Sequence, residues 1–190
     1  ISLIWPQPDE RLKTLTGNRQ DVVRKHAGAD WGGNQLIGTE FNPNWVIYRL
    51  PHILFNKMEA MNRANGSAAI NEINALIYSM EQRSGVVNYE LISGGVKNVE
   101  EAILQYKLKE TAFEGTRWFD LVRIGKRQWE ENITGDENIL VRSVVSIMNE
   151  EDKIFVKGML NNPEGWYFPI AKDEIDINRN LVQNPYYQNN

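Results

Sequence analysis

Between Trp45 and Gly125 apolar residues recur every three or four positions, and glycines cut that recurrence into separate stretches. Such a period describes the one-sided face of an amphipathic helix and does not fit the two-residue alternation of a half-buried strand. The first stretch carries Val46, Leu50, Ile53, Leu54, Phe55, Met58 and Met61. Pro51 fits it only near a helix start, where a missing N–H has no intrahelical partner to lose. Asn65-Gly66 supplies the stop. Ser67 is placed to cap a second helix with the face Ala69, Ile70, Ile73, Leu76, Ile77 and Met80, closed by Gly85. Two helices across so short a turn predict a helical hairpin.

Beyond Ser93-Gly94-Gly95, Asn98 and Glu101 have the spacing of a capping box. The helix they open presents Ala102, Ile103, Tyr106, Leu108, Ala112 and Phe113. Gly115 interrupts it, and Trp118, Leu121 and Val122 carry a further stripe to Gly125. The expected fold is therefore all-α: two tetratricopeptide-like hairpins over residues 45–125, without that repeat's Trp-Leu-Gly-Tyr consensus. Residues 1–44 read as a loop-rich segment punctuated by Pro6, Pro8, Gly17, Gly28, Gly32-Gly33, Gly38 and Pro43, with Trp5, Trp31 and Phe41 favouring order. Residues 126–190 read as an irregular segment and closing tail with minor β structure. There Leu140–Ile147 and Lys153–Val156 are compatible with short strands or helix, and a short helix is expected from Lys172 or Asp173 through Ile177.

Composition removes several function classes. At 190 residues the chain is long enough for a substantial core. A formal charge of −4 argues against nucleic-acid binding, which needs a basic surface. No apolar run approaches the roughly 18–20 residues that span a bilayer. The absence of cysteine excludes disulfides and thiolate metal sites. Ile1-Ser2-Leu3 has neither the basic nor the apolar region of a signal peptide, and a start without Met is what a fragment or processed product would show.

Glu110, Glu114 and Asp120 raise the possibility of a glycosidase, because hydrolysis of a glycosidic bond uses two carboxylates. Lys107, Arg117 and Arg123 each stand three residues from one of these acids, and ion pairing along a helix accounts for them better. Trp118, at helical spacing from Leu121 and Val122, reads as core. His26 and His52 are unaccompanied by further ligands, so no metal site is expected.

Three ordered stretches carry a family resemblance. They are Trp45-Val46-Ile47-Tyr48-Arg49-Leu50 with Met58-Glu59-Ala60-Met61-Asn62-Arg63; Ile103-Leu104 through Glu114-Gly115-Thr116-Arg117-Trp118-Phe119-Asp120-Leu121; and Tyr167-Phe168-Pro169-Ile170 followed by Asn180-Leu181 and Gln183-Asn184-Pro185. In this order they resemble the C-terminal half of the SusD/RagB family. The chain departs from that family's usual pattern at His52, Gln105-Tyr106, Ala171 and Arg179. The resemblance implies that residues 1–190 form a SusD-like C-terminal domain whose N-terminal half is absent. It further implies a non-catalytic, cofactor-free protein at the bacterial outer membrane, a surface lipoprotein with its anchor outside this chain. Such a protein binds oligosaccharide and delivers it to a SusC-like TonB-dependent transporter.

Trp5, Trp31 and Trp129 then take on a second meaning beside loop anchoring. A flat indole covers the C–H face of a sugar while neighbouring polar groups meet its hydroxyls. Trp31 has Asp30 and Asn34 beside it, so Trp5, Trp31 and Asn34 are the expected glycan contacts. The alternative is a tetratricopeptide-type scaffold that binds peptides in a groove.

Overall fold

The computed structural model describes residues 9–11 and 47–188. Its helices are α1 (Leu50–Asn65), α2 (Ile70–Arg83), α3 (Val96–Glu110), α4 (Arg117–Glu130), α5 (Ile139–Val145), α6 (Glu150–Leu160) and α7 (Lys172–Ile177). Short 3-10 turns lie at Gly66–Ala69, Gly135–Glu137, Pro163–Trp166 and Pro185–Tyr187. The chain is all-α, and the described residues contain no strand. The two segments that periodicity left open, Leu140–Ile147 and Lys153–Val156, fall on α5 and α6, so the expected minor β structure is not found there. The fold comprises two units that part between Arg117 and Trp118.

In the first unit α1 packs on both α2 and α3. The core is Phe55 and Met58 from α1, Ile73, Ile77 and Met80 from α2, Val99 and Ile103 from α3, with Ala69 and Ile92. Fully burying an aliphatic or aromatic side chain of this size contributes about 1.5–3 kcal/mol, so this cluster dominates the unit's stability. Leu50 and Ile53, expected on the buried face of α1, are exposed. The helix begins at Leu50, with Pro51 in its first turn as the sequence predicts. It ends at Gly66, whose φ of 55° places it in the left-handed region. Ser67 lies in the 3-10 turn and does not cap α2. Likewise α3 starts at Val96 with Gly95 as its cap residue, so Asn98 is already helical and the expected capping box does not form.

The connection between α2 and α3 has no regular structure, and side chains satisfy its backbone instead. Asn74 Nδ2 donates to the Ile92 carbonyl at 2.9 Å, and Ile92 N–H donates to Asn74 Oδ1 at 2.8 Å. Asn62 Nδ2 donates to the Val96 carbonyl at 2.8 Å. These bonds seat the buried Ile92 in the core.

The second unit is built on α4. Its buried side is Leu121, Val122, Ile124, Gly125 and Gln128. Gly125 does not end the helix as its position in the sequence suggested. A Cβ there would stand 2.9 Å from Asn138 Oδ1 and 2.9 Å from Leu140 Cβ, so glycine is required by close approach. Asn138 completes the crossing by donating Nδ2 to the Gly125 carbonyl at 2.7 Å and accepting from Leu140 N–H, which caps α5. Trp166, 1% exposed, closes this core and donates its Nε1 to the Leu160 carbonyl at 2.9 Å. The tail is fastened by amides. Gln183 donates to and accepts from the backbone of Ile170, both at 2.9 Å, and Asn184 Nδ2 donates to the Glu164 carbonyl at 2.9 Å.

Candidate functional site

The acids that suggest hydrolysis lie in the first unit, apart from Asp120. Glu110 is the last residue of α3, where a negative charge opposes the helix dipole and needs cations. Its Oε1 accepts from Arg49 Nη1 at 2.7 Å and Arg83 Nη2 at 2.6 Å, while Oε2 lies 3.4 Å from Arg11 Nη1. Arg49 also donates to the Glu110 carbonyl, and through Nε and Nη2 to Glu114 Oε1 at 2.9 and 2.7 Å. The guanidinium therefore closes the end of α3 and holds the turn after it. Arg11 reaches Asp9 and Glu81 at 2.6 and 2.9 Å. His52 belongs to the same network: its Nδ1 accepts from Arg49 N–H at 3.3 Å, and its Nε2 stands 3.2 Å from Glu114 Oε2.

Burial works against the ionisation of Glu110, but hydrogen bonds from Arg83 and Arg49 outweigh it and hold the carboxyl below its usual range. Burial likewise opposes the charge on Arg49, and bonds to Glu114 and Glu110 reverse that and raise its pKa. A glycosidase general acid needs the opposite, a carboxyl raised toward neutrality. The ion-pair explanation holds, with partners added from outside the three-residue spacings. Glu110 and Glu114 are held by arginines remote in sequence, and among the three-residue spacings Asp120 with Arg123, at 3.2 Å, is an ion pair. Arg117 donates Nη1 to the Leu104 carbonyl at 3.0 Å. No cluster of three metal-ligating side chains occurs among the described residues.

Among the described residues, the second unit carries a cleft of about 400 Å³. One wall is the outer stripe of α4, where Trp118, Phe119, Val122, Arg123, Lys126, Arg127 and Glu130 follow one another at helical spacing. The other wall is Tyr167 and Phe168, above a floor made by Trp166. Trp118 is half-buried, which corrects its reading as core: α4 buries the side of Leu121 and Ile124, leaving Trp118 at the margin. Its Nε1 donates to the Trp166 carbonyl at 3.2 Å, and its ring lies 6.2 Å from that of Phe168, tilted by 37°. Trp129 meets Trp166 edge-on at 5.9 Å. Lys126 Nζ stands 5.1 Å over the Tyr167 ring, a cation–π contact. The Gln183 clamp on Ile170 holds the segment that carries Tyr167 and Phe168.

Aromatic faces at fixed tilt with charged groups at the rim suit a ligand that has both an apolar face and polar edges. Trp5, Trp31 and Asn34 lie outside the described residues, as does His26. The cleft was missed because its walls are 48 residues apart in the chain. The available signal was the aromatic density of Trp118-Phe119 and Tyr167-Phe168 within the two recognisable motifs.

Comparison with known proteins bears on this arrangement. The family model described as "SusD family" matches residues 19–187. The chain is similar to "SusD-like protein P2" of Formosa agariphila, 29% identical over 119 residues, which cover 60% of this chain and 23% of that protein. The match thus spans less than a quarter of that relative's length. No solved structure matches.

Proposed function

The chain belongs to the SusD family, and from that membership we propose that it binds oligosaccharide at the bacterial outer surface, without hydrolysing it, for delivery to a SusC-like TonB-dependent transporter. The family match over residues 19–187 carries this reading. Attachment to the outer membrane through a lipid anchor is part of this proposal. None of the helices among the described residues is long and apolar enough to cross a membrane.

Two structural features support binding without catalysis. The paired acids are neutralised by arginines, and Glu110 is biased toward permanent ionisation. The cleft on α4 offers stacking surfaces with no carboxylate pair facing across them. We place sugar stacking at Trp118, Tyr167 and Phe168, and retain Trp5, Trp31 and Asn34 as contacts from the N-terminal segment. Single sites of this kind bind weakly, and tethering at a membrane raises their effective affinity.

The test is an array of immobilised polysaccharides probed with the full chain and with Trp118→Ala and Trp31→Ala. The reading predicts retention on at least one glycan, weakened by either substitution, with no release of reducing ends. Retention by none of the glycans, or turnover abolished by Glu114→Gln, would falsify it.

A further inference from the structure

The rim of the cleft is cationic. Three of its lining residues, Arg123, Lys126 and Arg127, are basic and one, Glu130, is acidic. This stands out in a chain whose formal charge is −4. The three cations are not equivalent. Arg123 meets Asp120 of the same helix at 3.2 Å, and Arg127 approaches Glu131, just past the helix end, at 4.0 Å. Lys126 instead extends its ammonium over the face of Tyr167. A lysine there carries its charge to the aromatic wall, where a stacked sugar ring would lie within its reach. The ring quadrupole holds the ammonium in place while leaving its N–H donors available to an anion.

We propose that the cleft selects oligosaccharides bearing an anionic substituent, a uronate carboxylate or a sulfate ester, with Lys126 as the anion contact beside a sugar stacked on Trp118 or Tyr167. The proposal rests on the glycan-binding reading above and adds the ligand's charge to it. Its basis is charge complementarity at the lining residues. A neutral glycan needs the aromatic faces but gains little from a concentration of cations on one wall. An anionic one uses both the aromatic faces and the Lys126 ammonium beside them.

The experiment is calorimetric titration of the full chain with two matched pairs of probes. One pair is hexagalacturonate and its methyl ester, and the other is a sulfated dextran oligomer and the unsulfated oligomer. Hexaglutamate serves as the acidic-peptide control. An exposed ion pair contributes up to about 1 kcal/mol, so the charged member of at least one pair binds about fivefold more tightly at low salt. That preference shrinks as salt is raised. Lys126→Met and Lys126→Glu abolish the preference between the members of a pair, while Lys126→Arg restores it. Unaltered thermal unfolding of Lys126→Met shows that the fold is intact. Preference within the first pair alone identifies a carboxylate, and within the second alone a sulfate. Equal affinity within both pairs overturns the inference and leaves glycan binding standing. Failure of every glycan probe to bind overturns both, and tight binding of hexaglutamate alone replaces the glycan by an acidic peptide.

Discussion

Arg49 joins two acids and a helix end in the first unit. It neutralises Glu110 and Glu114 and bonds the carbonyl that ends α3. Arg49→Met leaves two buried carboxylates short of a partner and destabilises by on the order of 3 kcal/mol, measured by urea unfolding. Glu110 sets the acid limit of the same network. Its folded pKa lies below the ordinary value of 4.5, so its contribution is fully present above that pH and is lost as pH falls through the folded value. Wild-type stability therefore declines in that acid window, and Glu110→Gln, less stable at neutral pH, loses that part of the decline. Gly125→Ala presents the reverse balance. Alanine gains about 1 kcal/mol of helix propensity, but its methyl enters space 2.9 Å from Asn138 and Leu140. Overpacking of about 1–3 kcal/mol wins, and a melting temperature below that of the wild type is the expected reading.

At the scale of elements, the motif Gln183-Asn184-Pro185 acts as a fastening. Gln183 replaces a two-bond ladder to Ile170, and Asn184 ties the tail to the 3-10 turn at Pro163–Trp166. Each such bond contributes about 1 kcal/mol, so Gln183→Leu costs about 2 kcal/mol and raises hydrogen exchange at the Ile170 amide. The helices themselves were readable in the sequence where burial is one-sided. The faces of α2 and α3 follow their apolar period, with Ile73, Ile77 and Met80, then Val99 and Ile103, in the core. Helix starts were read less well. A cap depends on which backbone N–H groups the fold leaves unpaired, and neither Ser67 nor Asn98 stands where those groups occur. α6 stays open between strand and helix in the sequence because it exposes Ile154 and Phe155, so its apolar residues do not mark a buried face.

At the scale of the whole molecule, the two most recognisable stretches divide between the arginine network and the cleft. Glu114 belongs to the arginine network of the first unit, whereas Trp118, Phe119, Tyr167 and Phe168 line the cleft of the second. The family was legible from residue order alone. The cleft was not, because local spacing cannot show that Trp118 meets the carbonyl of Trp166. The role of the acids was legible in kind, as ion pairing, but Arg49 and Arg83 could not be matched to Glu110 without the fold.

The central claim is that the aromatic cleft on α4 binds glycan while the acids hold the fold. Indole N–H resonances test it most directly. On titrating the full chain with an oligosaccharide retained on the array, the account predicts that the Trp118 signal moves first and saturably. The Trp166 indole, bonded to the Leu160 carbonyl beneath the floor, stays in place, and no reducing ends appear. A saturable shift confined to indoles outside the cleft, with Trp118 unmoved, would contradict it.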